Sequence, residues 1–432
     1  MNVQLSPSTL SGAVPAIASK SDVHRLLFCA AQADAPVTIE MNSTSPLSED
    51  VRATVQALRQ MGAGILYEPG RFTVTPFTTV PDAPRFDCGE SGSTLRFLLP
   101  LAAARCDRPS FTGSGRLPER PIAELLGAMK ENGAAASSDK LPFTFESRLH
   151  SGAFSLAGNV SSQFISGLLL GLPSLDGDSE IRLTTPLQSA SYVNITLHAL
   201  SRFGIRTSVL PRGFHIPGGQ VFQSPGTLTA DGDWSNAAFF LVAGAIGPGP
   251  VTVTGLSPDS PQGDKQIIDL LRGGFGANVR KTPCEDGTFG YTVSRPAGLR
   301  GCLIDLTDIP DAFPALAVLA CFADGPTEFH GGERLRLKES DRIAAVAALI
   351  RGLGGACEEK DNGMIVLGKD VTGGLTGGTV DGFRDHRIVM AAAIAASGCR
   401  DDVFLTGADA VRKSYPSFFE DLRSIGGIAH VI

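Results

Sequence analysis

The sequence is poor in charge. Only 19% of its 432 residues are Asp, Glu, Lys or Arg, and the net charge at pH 7 is -7. A chain without a basic excess has no general electrostatic attraction for nucleic acid or anionic lipid, so neither partner is expected. Small anionic substrates stay compatible with this composition, because Lys and Arg side chains can converge locally in a cleft.

The close spacings of metal ligands are also missing. No CxxC pair occurs, and the seven histidines show no HxxxH or HxxEH spacing. We therefore predict no metal site. The eight cysteines are scattered and mostly lie within apolar stretches, which is typical of reduced core thiols: Cys29, Cys88, Cys106, Cys284, Cys302, Cys321, Cys357 and Cys399.

Long apolar runs and nucleotide-binding loops are absent as well. No stretch approaches the roughly 18 uninterrupted apolar residues that a membrane span needs, and residues 1–10 lack a basic segment followed by an apolar one. These absences favour a cytoplasmic protein. No GxxxxGK[ST] loop is present and no GxGxxG opens a repeat, which disfavours nucleoside triphosphates and dinucleotides as ligands.

The length favours two domains, and an internal repeat indicates how they are built. Helix-like runs that end in glycine and precede a short apolar strand recur at intervals of 71, 71, 72, 79 and 72 residues. Glycine suits such helix ends because it adopts the left-handed conformation at no steric cost. We expect these glycines to end six helices: Gly62, Gly133, Gly204, Gly276, Gly355 and Gly427.

A second register of possible helix caps supports the same period. Side-chain oxygens of Ser and Asp can accept hydrogen bonds from the unpaired N–H groups at a helix start. Six α/β units follow, three per domain, with residues 211–226 as the expected connection. We predict one domain over 19–228 and a second over 1–18 plus 229–432. The predicted caps are Ser21, Ser93, Ser162, Ser235, Asp311 and Asp385.

Cations next to the caps of the first half suggest anion sites, because a helix N-terminus and a nearby Lys or Arg both favour negative charge. Lys20, Ser21 and Arg25 open one helix, and Arg96 follows a Gly-rich turn at Gly92. Arg120 precedes a further proline-led helix. The alternative for each is a capped helix with a solvated charge. The uncharged groups of this half either cap helices or contact ligand: Ser161, Ser162, Gln163, Ser189 and Tyr192.

The second half adds carboxylates to the cations. Asp311 stands directly before a long apolar run, and Lys338, Glu339 and Arg342 open another. Surface ion pairs around a capping box are the alternative for this cluster. Next to the cap Asp385 lie His386 and Arg387, which suit either an anion site or simple capping. Lys413 precedes a proline-initiated helix, where a lone lysine is more often solvated.

Together these stretches resemble the 5-enolpyruvylshikimate-3-phosphate synthase family of enolpyruvyl transferases. The resemblance runs in order through SKS, GESGSTLR, LPERPI, SSQF, IPDAF, LKESDR, DHR and RKSYP, between residues 19 and 422. It implies an α/β (α+β) fold of two domains, each with three βαβαββ units whose helix N-termini face the interdomain cleft. It also implies a cofactor-free, monomeric transferase of chorismate and aromatic amino acid biosynthesis, in which phosphoenolpyruvate and shikimate 3-phosphate react through a tetrahedral intermediate.

The resemblance assigns roles residue by residue. Asp311 and Glu339 match an acid–base pair, with Lys20 as a further proton carrier. Arg96, Glu90 and His386 match supporting positions. The first domain is then the shikimate 3-phosphate side, and the second carries the acid–base and phosphoenolpyruvate residues. Positions that match the shikimate 3-phosphate site are Ser21, Arg25, Ser161, Ser162, Ser189, Tyr192, Asp311 and Lys338. Positions that match the phosphoenolpyruvate site are Lys20, Gly92, Arg120, Gln163, Arg342, Arg387 and Lys413.

The sequence departs from the family pattern at two positions. Glu90 and Arg334 stand where many relatives have Asn, and an extra carboxylate near phosphoenolpyruvate is repulsive unless a cation pairs with it. Our hypothesis is that the two residues compensate each other.

Two other functions stay open: the sister transferase that acts on a UDP-amino sugar, and a binding protein without catalysis. The SSQF and LKESDR segments favour shikimate 3-phosphate over the first, and the presence of both Asp311 and Glu339 argues against the second.

Overall fold

The structure is a computed structural model that describes residues 1–369 and 374–432. Among these residues no helix has both the length and the apolar character that crossing a membrane requires. The helices of the described residues are α1 (Lys20–Ala31), α2 (Glu49–Gln60), α3 (Gly92–Arg105), α4 (Ala123–Glu131), α5 (Ser162–Gly171), α6 (Ala190–Arg202), α7 (Trp234–Ile246), α8 (Ile267–Asp269), α9 (Phe313–Ala320), α10 (Arg342–Gly352), α11 (His386–Ser397) and α12 (Phe418–Ser424).

The chain forms two compact units. Unit 1 combines Met1–Ser19 with Asp231–Ile432, and unit 2 is Lys20–Ala230. Within unit 1, Ser19 N–H donates to the Asp231 carbonyl over 2.7 Å, so the two segments of this unit meet where the chain leaves and re-enters it. Unit 2 is therefore an insertion between two hydrogen-bonded residues of unit 1.

Unit 2 contains three sheets among the residues that the structure describes. The first has the order β13 (Thr227–Thr229), β3 (Val37–Glu40), β5 (Arg71–Thr75), β4 (Gly64–Glu68). The second has the order β6 (Arg85–Asp87), β7 (Ser110–Thr112), β8 (Phe143–Thr144). The third has the order β11 (Ser208–Leu210), β12 (Gly213–Ile216), β10 (Ser179–Leu183), β9 (Ala153–Leu156).

The described part of unit 1 also contains three sheets. One has the order β21 (Gly378–Asp381), β22 (Val403–Thr406), β1 (Val3–Ser6), β23 (Ile428–Val431). Another has the order β15 (Asn278–Pro283), β16 (Phe289–Ser294), β14 (Val251–Leu256), β2 (Gly12–Pro15). The last has the order β17 (Leu303–Asp305), β18 (Gly325–His330), β20 (Gly363–Gly368), β19 (Ala356–Lys360).

All six sheets repeat one pattern. Each contains one parallel pair, such as β9 with β10 or β17 with β18, and continues with antiparallel neighbours. In four of these sheets one α-helix connects the strands of the parallel pair, as a crossover connection requires: α3 lies between β6 and β7, α5 between β9 and β10, α9 between β17 and β18, and α11 between β21 and β22. Three such sheets in each unit agree with the six-fold repeat of the sequence.

Glycine ends the repeated helices, with a shift of one residue in two of them. Gly62, Gly133, Gly204 and Gly276 have the positive φ that was predicted, between 71° and 103°. In the last two repeats the positive φ belongs to a different glycine. Gly354 and Gly426 take it instead of the predicted Gly355 and Gly427, because each of these pairs offers two adjacent glycines and the first already leaves the helix.

The predicted caps need more correction. Only Asp385 caps its helix as predicted, where it accepts from Arg387 N–H. In α3, α5 and α7 the cap is an upstream residue with extended backbone, whose side chain reaches the first free N–H groups. These caps are Ser91, Ser161 and Asp233, in place of Ser93, Ser162 and Ser235. Ser21 lies inside α1, and Asp311 lies in a 3-10 turn ahead of α9.

The connection predicted over 211–226 is also wrong. It contains β12, which pairs with β10 and β11 inside the third sheet of unit 2. The Gly- and Pro-rich composition of this stretch comes from the turns on both sides of a short strand. The chain passes between the units at Ser19/Lys20 and at Ala230/Asp231.

The core of each unit is made of buried helices. Every residue of α7, α9 and the α11 segment His386–Ala396 is buried in unit 1, as expected for helices that are apolar on all sides. In unit 2, α3 packs closely on α5. The contact leaves no room for a side chain at Gly167, whose Cβ atom would collide with the Arg96 backbone. The first turns of α3, α5 and α11 carry several of the residues that the sequence marks for chemistry, among them Gly92, Gln163 and Arg387.

Candidate functional site

Arg25 is buried in unit 2, and its guanidinium group joins three helices. On α1, it donates to the Ser21 carbonyl over 2.6 Å, and on α6 to Thr196 Oγ1 over 2.6 Å and to the Tyr192 carbonyl over 2.9 Å. It also donates to Ser166 Oγ of α5 over 3.2 Å. Burial lowers the pKa of Arg25 to about 10, against the opposing charge of Asp22. Arg25 is therefore a fixed, desolvated cation rather than a solvated one.

Lys20 begins α1 beside this arginine. Its ammonium nitrogen lies 2.7 Å from Asp50 Oδ2 on α2, and both side chains are largely buried. A pair shielded from water is stronger than an exposed one. The carboxylate therefore fixes the position of Lys20.

The first turn of α3 brings two arginines against Gly92. A Cβ atom at this position would lie 2.8 Å from Arg120 Nη1 and would collide with Arg96 Nη1. Arg96 also donates to the Pro121 carbonyl over 2.9 Å, which ties α3 to the turn that carries Arg120. A side chain at this position would therefore have to displace the two guanidinium groups.

Gln163 joins the first turns of α5 and α3. Its Oε1 accepts from Arg96 over 3.0 Å, and its Nε2 donates to Ser93 Oγ over 3.0 Å. Ser161 caps α5 by accepting from Gln163 N–H over 3.3 Å. Ser93, which lies inside α3 and is not its cap, thus accepts from a side chain of α5.

Ser189 and Tyr192 open α6 next to the buried arginine. Ser189 is the cap residue, is buried and has a left-handed backbone with φ 52°, which is unusual for a non-glycine residue. The Tyr192 carbonyl holds Arg25. The structure thus places Ser21, Arg25, Ser189 and Tyr192 at adjoining helix starts of unit 2.

Arg342 is the centre of the second group, in unit 1. Its guanidinium group donates to Asp311 Oδ1 over 2.6 Å, to Glu339 Oε2 over 2.6 Å and to Asp385 Oδ2 over 2.8 Å. The side chain is 1% exposed. Burial alone would lower the pKa of Arg342, but these three carboxylates together raise it well above its usual value. A permanent cation thus lies between two predicted acid–base residues.

Asp311 also forms an ion pair with a second arginine, Arg387. Arg387 Nη2 lies 2.9 Å from Asp311 Oδ2, and its Nη1 donates to the Asp311 carbonyl over 3.2 Å. Lys338 Nζ is 3.5 Å from Asp311 Oδ1. Both carboxylate oxygens are therefore oriented by cations, while the side chain keeps 13% of its surface exposed. An oriented carboxylate with an open face can accept a proton.

Lys338 and Glu339 precede α10, and the helix cap is Asp341, which accepts from Ala344 N–H. Lys338 and Glu339 therefore do not cap α10, and the capping-box alternative for this cluster is wrong. Burial lowers the pKa of Lys338 to about 8, against the attraction of Asp311. Glu339 is 21% exposed and touches the same guanidinium group as Asp311.

Asp385 fixes the start of α11 and the arginines on both sides of it. The carboxylate has no exposed surface, accepts from Arg342 Nε and from Ser340 Oγ, and caps the helix at Arg387 N–H. His386 Nδ1 lies 4.0 Å from the same carboxylate. Lys413 is buried and donates to the Arg384 carbonyl over 2.9 Å, so it is not the solvated lysine of the alternative interpretation.

Sequence reasoning missed several residues of these groups. Asp50 and Ser340 hold predicted residues, and Asp385 was predicted only as a cap. Asp264 is buried, accepts from Ser235 Oγ over 2.5 Å, and has its pKa raised to about 6 by burial, with the charge of Asp311 adding to the effect. Asp264 lies in the polar stretch PQGDKQ, residues 261–266, which gives no local signal that its carboxylate is buried.

The two departures from the family pattern lie in different units. Glu90 precedes α3, and its carboxylate lies against the position that a Cβ of Gly115 would take. Arg334 lies in the 3-10 turn Glu333–Leu337. Their mutual compensation stays a prediction.

The chain is similar to one family along almost its whole length. The family model described as EPSP synthase (3-phosphoshikimate 1-carboxyvinyltransferase) matches residues 5–422. A 3-phosphoshikimate 1-carboxyvinyltransferase of Clostridium kluyveri is 39% identical, over 98% of this chain and 97% of the relative. One from Methanocorpusculum labreanum is 37% identical, over 99% of each.

Solved structures with the same fold are more distant in sequence. An EPSP synthase of Acinetobacter baumannii superimposes with a TM-score of 0.81 at 23% identity, over 100% of both chains. The enolpyruvyl transferase NikO of Streptomyces tendae gives 0.78 at 21% identity, over 99% of this chain and 98% of that one. The fold is therefore the two-domain enolpyruvyl transferase fold.

Proposed function

Because the chain belongs to the EPSP synthase family, we propose that it transfers the enolpyruvyl group of phosphoenolpyruvate to the 5-hydroxyl of shikimate 3-phosphate and releases phosphate. This is the step of the shikimate pathway that leads to chorismate and the aromatic amino acids. The observation that carries the proposal is the pairing of Asp311 and Glu339 on one buried guanidinium group, that of Arg342. Two oriented carboxylates can serve the two proton transfers that the reaction needs.

The addition step forms a C–O bond and moves two protons. The 5-hydroxyl oxygen attacks C2 of phosphoenolpyruvate while Asp311 takes the hydroxyl proton. Glu339 gives a proton to C3, so the methylene becomes a methyl group and a tetrahedral adduct results. Lys20 is the further proton carrier of the proposal.

The elimination step reverses the proton flow. Glu339 takes a proton back from the methyl group, the bond between C2 and the phosphate oxygen breaks, and phosphate leaves with that electron pair. The proton that Asp311 took from the hydroxyl goes to the departing phosphate, so both carboxyl groups return to their starting states. The cations of the two groups stabilise the negative charge on the carboxylate and on the departing phosphate. These cations are Lys20, Arg120, Arg342, Arg387 and Lys413.

Substrate binding is assigned to the same groups. Shikimate 3-phosphate is held by Ser21, Arg25, Ser161, Ser162, Ser189, Tyr192, Asp311 and Lys338. Phosphoenolpyruvate is held by Lys20, Gly92, Arg120, Gln163, Arg342, Arg387 and Lys413, because guanidinium forks suit its carboxylate and phosphate. Arg96, Glu90 and His386 support these residues.

All eight cysteines are free thiols, which supports a reducing compartment such as the cytoplasm. That the chain works as a monomer stays a prediction.

The deciding experiment mixes the purified protein with both substrates in excess chelator. Phosphate release and the enolpyruvyl product, followed together by NMR, are the expected result. A folded protein that gives neither signal contradicts the proposal. Turnover with a UDP-amino sugar as acceptor would then identify the sister transferase, and ligand binding without phosphate release would identify a binding protein.

Glu339→Gln tests the assignment of the acid–base pair. The amide still reaches Arg342 but cannot donate or accept the transferred proton, so turnover is expected to fall at least a hundredfold while both substrates still bind. Loss of substrate binding to the same extent would instead give Glu339 a structural role.

A further inference from the structure

A chain of buried hydrogen bonds in unit 2 lies next to the residues proposed to bind phosphoenolpyruvate. His24 Nδ1 of α1 lies 2.8 Å from Thr54 Oγ1 of α2, and Thr54 Oγ1 lies 2.7 Å from Thr94 Oγ1 of α3. Thr94 Oγ1 in turn lies 2.8 Å from Ser91 Oγ, which caps α3. All four side chains are at most 1% exposed. The chain thus joins three helices through side chains that water does not reach.

The same helices also meet at a second contact. Lys20 lies one helical turn before His24 on α1, and Asp50 lies one turn before Thr54 on α2, so both contacts are on the same facing sides of the two helices. Lys20 pairs with Asp50 at 2.7 Å. Thr94 Oγ1 also lies 3.3 Å from the Asp50 carbonyl. Movement of Thr54 or Thr94 would therefore change the position of the carboxylate that holds Lys20.

The tautomer of His24 decides the direction of these hydrogen bonds. Among the described residues, Nε2 has no hydrogen-bond partner, and the ring packs edge-on against Phe97. Buried N–H groups without a partner are rarer than buried acceptors without one, which places the proton on Nδ1. Burial, with Lys20 and Arg25 nearby, lowers the pKa of His24 well below its usual value, so the ring carries a single proton.

We propose that His24 is a positioning residue for phosphoenolpyruvate binding: its Nδ1–H donates to Thr54, Thr54 donates to Thr94, and Thr94 donates to Ser91. This order gives the hydroxyls of Thr54 and Thr94 one donor and one acceptor each, and Ser91 Oγ accepts from both the hydroxyl and the N–H of Thr94. It fixes the first turn of α3, where Gly92 leaves room for Arg96 and Arg120, and it fixes the α2 segment that holds Lys20. The inference rests on the proposed function for the identity of the ligand.

Two pairs of variants separate positioning from packing. Thr54→Val keeps the shape and removes the hydroxyl, whereas Thr54→Ser keeps the hydroxyl and removes a methyl group. His24→Leu removes the donor, whereas His24→Asn places an amide nitrogen near the position of Nδ1. Thr54→Val and His24→Leu are expected to raise KM for phosphoenolpyruvate about tenfold, the effect of one lost hydrogen bond. KM for shikimate 3-phosphate should stay within about twofold, and Thr54→Ser and His24→Asn should stay near the parent protein.

Equal changes in both KM values, or a lower unfolding midpoint with unchanged KM values, would overturn the proposal in favour of a purely structural role. The ¹⁵N NMR shifts of the His24 ring, assigned by comparison with His24→Asn, give a readout that does not depend on activity. A proton on Nδ1 is expected, and a proton on Nε2 overturns the proposed direction. If the parent protein shows this tautomer but no turnover and no binding of phosphoenolpyruvate, the proposed function fails and the role in binding fails with it, whereas the hydrogen-bond order stands.

Discussion

Arg342 and Asp385 form an ion pair that is closed to solvent, with 2.8 Å between Nε and Oδ2 and side-chain exposures of 1% and 0%. The same guanidinium group also holds Asp311 and Glu339 through its other two nitrogens. All three of its nitrogen atoms are thus used by different carboxylates. The geometry of the proposed acid–base pair therefore depends on one side chain that only arginine can provide.

Replacing Arg342 should lower both the free energy of unfolding and the catalytic activity. Arg342→Lys leaves one ammonium group for three carboxylates, so the free energy of unfolding is expected to fall by about 3 kcal/mol and kcat/KM at least a hundredfold. Urea unfolding and a phosphate-release assay measure the two effects. Arg351→Lys, on the exposed side of the same helix, is the matched control and should change stability by less than about 0.5 kcal/mol. Similar effects of the two variants would contradict the prediction.

A methyl group at Gly92 should act on phosphoenolpyruvate selectively. The Cβ atom of Gly92→Ala would displace the guanidinium groups of Arg96 and Arg120, so KM for phosphoenolpyruvate should rise at least tenfold. KM for shikimate 3-phosphate should change little. Gly127→Ala is the control, because its Cβ meets no atom within 4 Å in α4, and it should stabilise the protein by about 0.5–1 kcal/mol. An unchanged KM in Gly92→Ala would show that the arginines can move aside.

The pH dependence of shikimate 3-phosphate use should report Lys338. Its pKa is lowered to about 8 by burial, so the free enzyme loses this positive charge as the pH rises through about 8. We expect kcat/KM for shikimate 3-phosphate to decline on that basic side, because an uncharged amine attracts phosphate less. Lys338→Arg keeps its charge and should move the decline to higher pH. A decline at the same pH in the variant would assign it to another group.

Asp264 should destabilise the folded protein at neutral pH. Its folded pKa of about 6 lies above the ordinary value of 3.8, so the folded state binds more protons than the unfolded state between these values. The free energy of unfolding therefore decreases as the pH rises through this window. Asp264→Asn removes the contribution, and the variant should gain stability relative to the parent protein from pH 4 to pH 7 in urea titrations. A constant difference across this range would contradict the raised pKa.

The sequence predicted what depends on local backbone chemistry. The six-fold period followed from glycines at helix ends, because positive φ is a local demand that few other residues meet. The exact caps could not be predicted in the same way. In the run from Glu90 to Thr94, Ser91, Ser93 and Thr94 can all accept from a helix N–H, and only the point at which the backbone turns decides between them.

The same difference holds for the site residues: local sequence identifies some of them and not others. Lys338, Glu339 and Arg342 could be identified because charges that open an apolar helix are conspicuous in a sequence. Asp264 and His24 could not, since the groups that surround their side chains come from distant segments of the chain. Their environments arise only when the helices pack.

The insertion of unit 2 into unit 1 has a consequence for the order of events during protein synthesis. All strands of unit 2 lie within residues 20–230, so this unit can complete its sheets while the ribosome is still making the rest of the chain. Strand β1 must wait longer, because it precedes unit 2 and its partners β22 and β23 follow unit 2 in the chain. Until those partners are made, both edges of β1 stay unpaired, the condition in which a strand can pair with another chain.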